Sequence, residues 1–369
     1  MLRWIRRLIG ALAAAALVLA TIPPLGLAYG FMTTAPVRLT AADPAAPQPN
    51  AEVAARLAGA GGYKRRDNAP FRGYLSWWPV FAARDYAALT ERELPQNFPY
   101  WSYVSRFWQD YALMIRLARG TPFIQRDHLP LMQSGIGMTV DHIAQWTYEN
   151  TAGRISAAIS GARPVEQDAY LAQSAAAHAT FLSRSRWFDY DYGADRAGLW
   201  ATQDATDIAM LRSWERKLAF GLADTAQQVI AALFRTEPMP QPELNIWAQG
   251  PVAEAIAPER DISVMQDLAP HGAHLVTRLT GADLDRLVIR LALRGVRFVE
   301  IAGIRTTFLT VTSGREVAAP EGAQAVFTYP LPADPARQRV GMAVNVALLH
   351  EVLPALAAQG AEIEHIYID

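Results

Sequence analysis

From Leu8 to Met32 the chain carries no charged side chain, and Arg3, Arg6 and Arg7 stand just before that run. Twenty-five helical residues rise about 37 Å, enough to cross a hydrocarbon core of about 30 Å with some tilt. Residues 1–32 are therefore expected to be a transmembrane signal anchor, with residues 8–32 in contact with the membrane. The next twenty residues hold Arg38 as their one basic side chain. The positive-inside bias then leaves the N-terminus in the cytoplasm and sends the remaining chain outward. The expected address is a bacterial inner membrane, with the soluble part periplasmic. A cleaved secretory signal is the competing expectation, since Val18-Leu19-Ala20 forms a small-x-small site. The apolar run continues past Ala20 through Ile22, Leu25, Leu27 and Phe31, which favours an uncleaved anchor. Pro23 and Pro24 bend a membrane helix without forbidding it.

Composition narrows the chemistry. The 369 residues include no cysteine, which excludes a disulfide framework, a thiol nucleophile and a Cys-ligated metal. The net charge is -1 with both signs interleaved, so no basic stripe marks a nucleic-acid surface and no such partner is expected. Roughly 335 residues follow the anchor, a length that suits two domains.

Residues 33–50, with Pro36, Pro44, Pro47 and Pro49 among alanines, are too poor in large apolar groups to build a core and are expected to be an extended tether. Residues 51–237 are expected to be helical. Ala51 to Ala58 suits a short helix, followed by a solvated loop through Lys64-Arg65-Arg66. From Tyr100 to Arg119 a stripe of Trp101, Val104, Trp108, Tyr111, Ile115 and Ala118 alternates spacings of three and four, with Arg106 and Asp110 placed to pair on the other face. Further helices are expected from Pro130 to Ser156 and from Pro164 to Arg186. The longest, from Gln203 to Arg235, carries the stripe Ile208, Leu211, Leu218, Leu222, Val229 and Leu233. Charges within every one of these helices favour a soluble bundle packed on itself over further membrane spans.

Pro238, Pro240 and Pro242 close that region, and residues 243–369 follow a different pattern. His274 to Thr280 alternates as a strand, Ala282 to Arg294 is helical, Gly295 is a stop, and Val296 to Ile301 is β-branched and aromatic. The order returns from Val340 to Ile368, with Pro354 expected to kink the second helix or mark its later start. Shifted by 65 positions, Leu284 falls on Leu349, Leu287 on Val352, Leu291 on Leu356 and Gly295 on Gly360, the mark of an internal duplication. The expected fold class is α+β: an N-terminal transmembrane helix, a helical bundle, then an α/β sandwich of duplicated βαβ units on a largely antiparallel, ferredoxin-like sheet.

Candidate chemistry is sparse. Asp141, His142 and Glu149 lie along one expected helix with Arg154 after them, where a carboxylate beside histidine suits acid–base work or pairing inside the bundle. Trp187, Asp189, Tyr190, Asp191 and Tyr192 combine ring faces with carboxylates, which suits a sugar ring or a cationic headgroup; the same residues suit a helix-to-helix corner whose acids cap the next helix. His271 and His274 do not complete a metal site, and no metal is expected. The glycines at 135 and 137 lack the lysine and preceding strand of a phosphate loop, and no cofactor is expected. Ser134 lacks the Gly-x-Ser-x-Gly elbow of a nucleophile. The functional expectation is a single-pass, membrane-anchored envelope protein for recognition or assembly without turnover, with an envelope protein, glycan or lipid as ligand. The alternative is an exported hydrolase of envelope glycan or lipid that works through these Asp and His residues. Paired acids favour the first, acids converging in a cleft the second, and an exposed apolar patch on the bundle favours a scaffold.

Overall fold

The computed structural model describes residues 2–39, 50–59, 63, 69–118, 124–235 and 243–368; the side chains of residues 2–16, 125–126 and 233–234 are outside that description. The centre of the expected tether, 40–49, and the Lys64-Arg65-Arg66 run lie outside the described residues. The chain is α+β, with many helices and two four-stranded antiparallel sheets. It forms two compact units. One comprises Met1–Val37, Leu75–His178 and Asp191–Gln228; the other comprises Arg38–Tyr74, Ala179–Tyr190 and Val229–Asp369.

The helices in chain order are α1 (Leu2–Thr33), α2 (Ala51–Ala58), α3 (Ala69–Ser76), α4 (Trp78–Thr90), α5 (Tyr100–Leu117), α6 (Gln125–Tyr148), α7 (Arg154–Ile159), α8 (Glu166–Leu182), α9 (Tyr192–Ala201) and α10 (Met210–Phe234). Between α6 and α7 the backbone makes a π-helical turn, Glu149–Gly153. In the helical unit α5 is the pillar. Its stripe residues Val104, Trp108 and Tyr111 are buried as expected, and so are Tyr103 and Phe107 on its flanks, whereas Trp101 at the start of the stripe is exposed. The Arg106–Asp110 pair forms at 3.0 Å.

The second half of α1 lies along α5 at close range. A Cβ at Gly26 would stand 2.3 Å from the Trp108 ring, and one at Gly30 would stand 2.1 Å from the Trp108 carbonyl oxygen. Small residues four apart let two helix backbones approach in this way. The contacts advance in step along both helices: Gln109 Nε2 donates to Thr33 Oγ1 at 3.2 Å, and Arg116 donates to the Phe31 carbonyl at 2.7 Å and to Thr34 Oγ1 at 2.8 Å. The two helices therefore run parallel. Among the described residues no helix is long and apolar enough to cross a membrane. The first part of the expected membrane run, through residue 16, lies outside the described side chains.

The helix expected from Gln203 to Arg235 starts only at Met210, and its stripe does not face the core: Ile208, just ahead of it, keeps 64 % of its surface, Leu218 50 % and Leu222 69 %, whereas Arg212 and Arg216 are fully buried. Periodicity defines a stripe without saying which side of the helix the rest of the fold will cover. Here the side with charge partners on neighbouring helices is the one covered, and the apolar side is turned out.

The second unit contains β1 (Leu244–Gln249), α11 (Val252–Ile256), β2 (Ile262–Asp267), β3 (Ala273–Thr277), α12 (Gly281–Leu293) and β4 (Arg297–Ile301), then β5 (Thr306–Ser313), β6 (Ala323–Leu331), β7 (Asp334–Asn345), α13 (Leu349–Ala358) and β8 (Glu362–Tyr367). The sheets have the orders β2-β3-β1-β4 and β6-β7-β5-β8. In each, the first strand lies between two antiparallel neighbours that a helix connects, which is a split βαβ unit. The duplication extends to the helix ends. Gly295 donates to the Ala292 carbonyl and Val296 to Leu291; Gly360 donates to Ala357 and Ala361 to Leu356. Both glycines have the positive φ, 82° and 77°, that such a stop needs. Pro354 sits inside α13 without delaying its start.

The two repeats do not share one sheet, as the sequence pattern suggested; each completes its own. The pattern hid β1 and β2, because β1 is buried along nearly its whole length and β2 is exposed on both faces after Ile262. Neither alternates. Leu284, Leu287 and Leu291 of α12 and Leu349, Val352 and Leu356 of α13 share one core with the strands Ile246, Leu309 and Met342. Val53 and Leu57 of α2 pack with Trp247 and Val299 on the first sheet's other face. Phe71 and Tyr74 of α3 lie on Phe308, Phe327 and Tyr367 of the second.

Candidate functional site

The expected candidates disperse. Asp141 accepts from Gln145 Nε2 at 2.8 Å, and its nearest approach to the His142 ring is 3.7 Å, at Nδ1. Close packing pushes its carboxyl upward while the Gln145 bond opposes this; with 43 % of the side chain open, solvent limits the shift. His142 points the other way, into Phe98, Tyr100 and Tyr103, with ring centres 5.9 to 6.1 Å away. Burial lowers its pKa to about 4, so the ring is neutral at pH 7. Arg154 is exposed and donates to Asn150 Oδ1 at 2.9 Å.

The aromatic–acid run is a corner between helices. Trp187 meets Phe188 edge to face, Asp189 pairs with Arg186 at 2.9 Å, and Tyr190 lies on Phe181. Asp191 caps α9 by accepting from the Ala194 amide at 2.9 Å, and Tyr192 shares a 3.4 Å hydrogen bond with His178. Among the described residues no three His, Cys, Asp or Glu side chains lie together as a metal site.

Glu149 is the candidate with the most built surroundings. It lies in the π turn, buried, and receives two bonds from Arg216, at 2.6 and 3.0 Å. One helical turn earlier, Arg212 binds both oxygens of Asp168 at 2.8 Å and reaches Ser156 Oγ at 3.2 Å. Arg216 Nε also lies 3.3 Å from Asp168 and 3.4 Å from Glu215, which accepts from Ser156 at 2.9 Å. The π turn is what brings Glu149 to Arg216, and Gly153 is what admits it: a Cβ there would stand 2.5 Å from Glu149 Oε2. A π bulge inserts one residue into the helical register and re-aims the side chains around it. Arg212 and Arg216, four apart on one face, were the available sequence sign of this network, and the apolar stripe on the opposite face obscured it. A second missed pair joins His365 and Asp285, both buried in the two-sheet unit.

Two carboxyls of α10 are held protonated to unusually high pH. Burial pushes Glu215 up to about 7 against the pull of Arg216, and burial with the charge of Asp195 pushes Asp224 up to about 7. Each group binds its proton more tightly folded than unfolded. Stability should therefore fall as pH rises from the ordinary carboxylate range through about 7. In detergent, the helical unit is expected to melt at a higher temperature at pH 5.5 than at pH 8. Glu215→Gln should remove part of that slope, on the order of 2–3 kcal/mol at the alkaline end. Circular dichroism melts at the two pH values measure it, and equal slopes in both chains would contradict it.

Among the described residues the expected candidate acids bind arginines, cap a helix or sit beside a neutral, ring-enclosed histidine; outside that set, Ser174 Oγ donates to Asp195 at 2.5 Å. No protein-family profile, no curated protein and no solved structure matches the chain.

Proposed function

We propose that the chain is a single-pass, membrane-anchored protein of the bacterial envelope that serves recognition or assembly in the periplasm without catalytic turnover. The observation that carries this is the docking of α1 on α5. A leader destined for removal has no need of a fitted seat, yet Gly26 and Gly30 are matched to Trp108, and Arg116 holds the helix end. The Val18-Leu19-Ala20 site also lies within continuous helix, whereas a peptidase takes its substrate extended. The pairing of Glu149 and Asp189 with arginines favours a binding or assembly role over the exported hydrolase. The two sheets, each with the strand order of a ferredoxin-like fold, supply the recognition surface for an envelope protein, glycan or lipid; this step is analogy between folds.

Alkaline carbonate extraction of membranes, with the intact mass of the recovered protein and a periplasm-dependent reporter at its C-terminus, tests the proposal. The expected result is an unprocessed chain in the membrane pellet with an active reporter. A chain starting after Ala20 in the soluble fraction, or a reporter active only in the cytosol, would overturn it.

A further inference from the structure

We infer that the outward face of α6 and α10 is a lipid seat: its apolar side chains rest in the acyl layer of the leaflet from which α1 emerges. The inference rests on the proposal that α1 is a retained anchor. From Met210 to Ala232, about 34 Å of helix, every exposed side chain of α10 is apolar except Gln228. Its charged residues Arg212, Glu215, Arg216, Lys217 and Asp224 are all buried or half-buried. From Leu129 to Thr147 the exposed side of α6 carries no basic group and one acid, Asp141, whose side chain is 43 % open and bonded to Gln145, and that of α1 from Leu17 to Thr33 carries no charge.

Water does not explain such a surface, because a solvated helix places its charges outside. A protein partner explains it poorly. Interfaces between proteins are about two-thirds apolar even at their cores and need directional polar groups for specificity, and α10 offers one amide. Lipid requires neither charge nor hydrogen bond, and it requires that ionisable groups turn inward and pair, as Arg212, Arg216 and Lys217 do. Lys217 binds Asp204 at 2.8 Å and the Thr202 carbonyl at 2.6 Å. These inward charges also keep α10 too polar to cross a bilayer, so the helix lies in one leaflet, its apolar face sunk about 5–10 Å. Arg154, the exposed cation of the adjoining α7, has a stem long enough to lift its guanidinium to the headgroups. The anchor adjoins α6, since α1 packs on both α5 and α6, and α5 packs on α6, where Trp108 Nε1 donates to Thr139 at 3.1 Å.

The absence of cysteine makes single labelling sites unambiguous. Full-length chains bearing Leu218→Cys, Leu222→Cys or, as a control on exposed β2, Gln266→Cys are spin-labelled and reconstituted in phosphatidylethanolamine–phosphatidylglycerol vesicles. Relaxation by oxygen, which concentrates in lipid, is compared with relaxation by a water-soluble nickel chelate. The expected result is oxygen exceeding nickel several-fold at 218 and 222, and the reverse at 266. Nickel dominance at 218 and 222 overturns the lipid seat, and so do immobilised labels that neither agent reaches, which mark a second copy of the chain. If the protein resists an alkaline wash of the vesicles, such a failure touches the lipid seat alone. Loss of the protein on washing overturns the anchor and the seat together.

Discussion

Arg216→Ala should destabilise the helical unit by about 3–5 kcal/mol, since removing one partner of a buried ion pair leaves the other charge without compensation. Glu149 would then be buried with both its oxygens stripped of donors, and Asp168 would lose its contact with Nε. The arginine has no solvent-exposed route by which water could replace it, because its side chain is fully enclosed. Replacing both partners, Arg216→Met with Glu149→Leu, should recover most of the loss, as exchanging a buried pair for apolar groups of similar size is often neutral. Chemical unfolding in detergent separates the two cases. A single variant as stable as the parent would show that the pair does not hold the π turn.

Gly30→Leu should release α1 from α5. The new Cβ would stand 2.1 Å from a carbonyl oxygen of the α5 backbone, which cannot turn aside as a flexible side chain could. Overpacking of this kind costs about 1–3 kcal/mol or more, and a helix held along one side relieves it by leaving. A cysteine pair at Thr33 and Gln109, whose side chains meet at 3.2 Å, should cross-link readily in the parent and lose most of its yield in the Gly30→Leu chain. Gly137→Leu on α6 is the control: nothing lies within 4 Å of a Cβ there, and a helix interior gains slightly when glycine is replaced. Undiminished cross-linking in Gly30→Leu would contradict the fitted seat. Below pH 4.5 a smaller effect should appear in the other unit. The hydrogen bonds of Arg290 and Arg294 hold the Glu259 carboxyl near 2 against the pull of burial, so that pair's contribution should fade only as the pH falls toward that value.

The duplicated βαβ pattern was legible because helix stripe, glycine stop and β-branched strand each leave a local signature, and all three recur at one spacing. The Gly295 and Gly360 stops repeat down to their hydrogen bonds. The partner strands left no such trace. β1 is buried on both faces and β2 exposed on both, so neither alternates, and the count of sheets could not be read. The outward turn of the α10 stripe was hidden for a related reason. A row of leucines has the same spacing whether protein or something else covers it, and the decision belongs to Asp168 and Glu149, far away in the chain. The Gly26–Gly30 spacing was visible but lay inside a run already explained by hydropathy. Of the candidate site, the acid cap at Asp191 was legible from local rules of helix ends, whereas the bond from Glu149 to Arg216 depends on a π turn that no residue pattern announces.

Labelling with a membrane-impermeant maleimide tests most directly whether a retained α1 carries the rest of the chain out of the cytoplasm. In whole cells with a permeabilised outer membrane, Gln266→Cys should react at once and Leu2→Cys only after lysis. A Gln266→Cys chain that stays unreactive until the inner membrane is broken would contradict it.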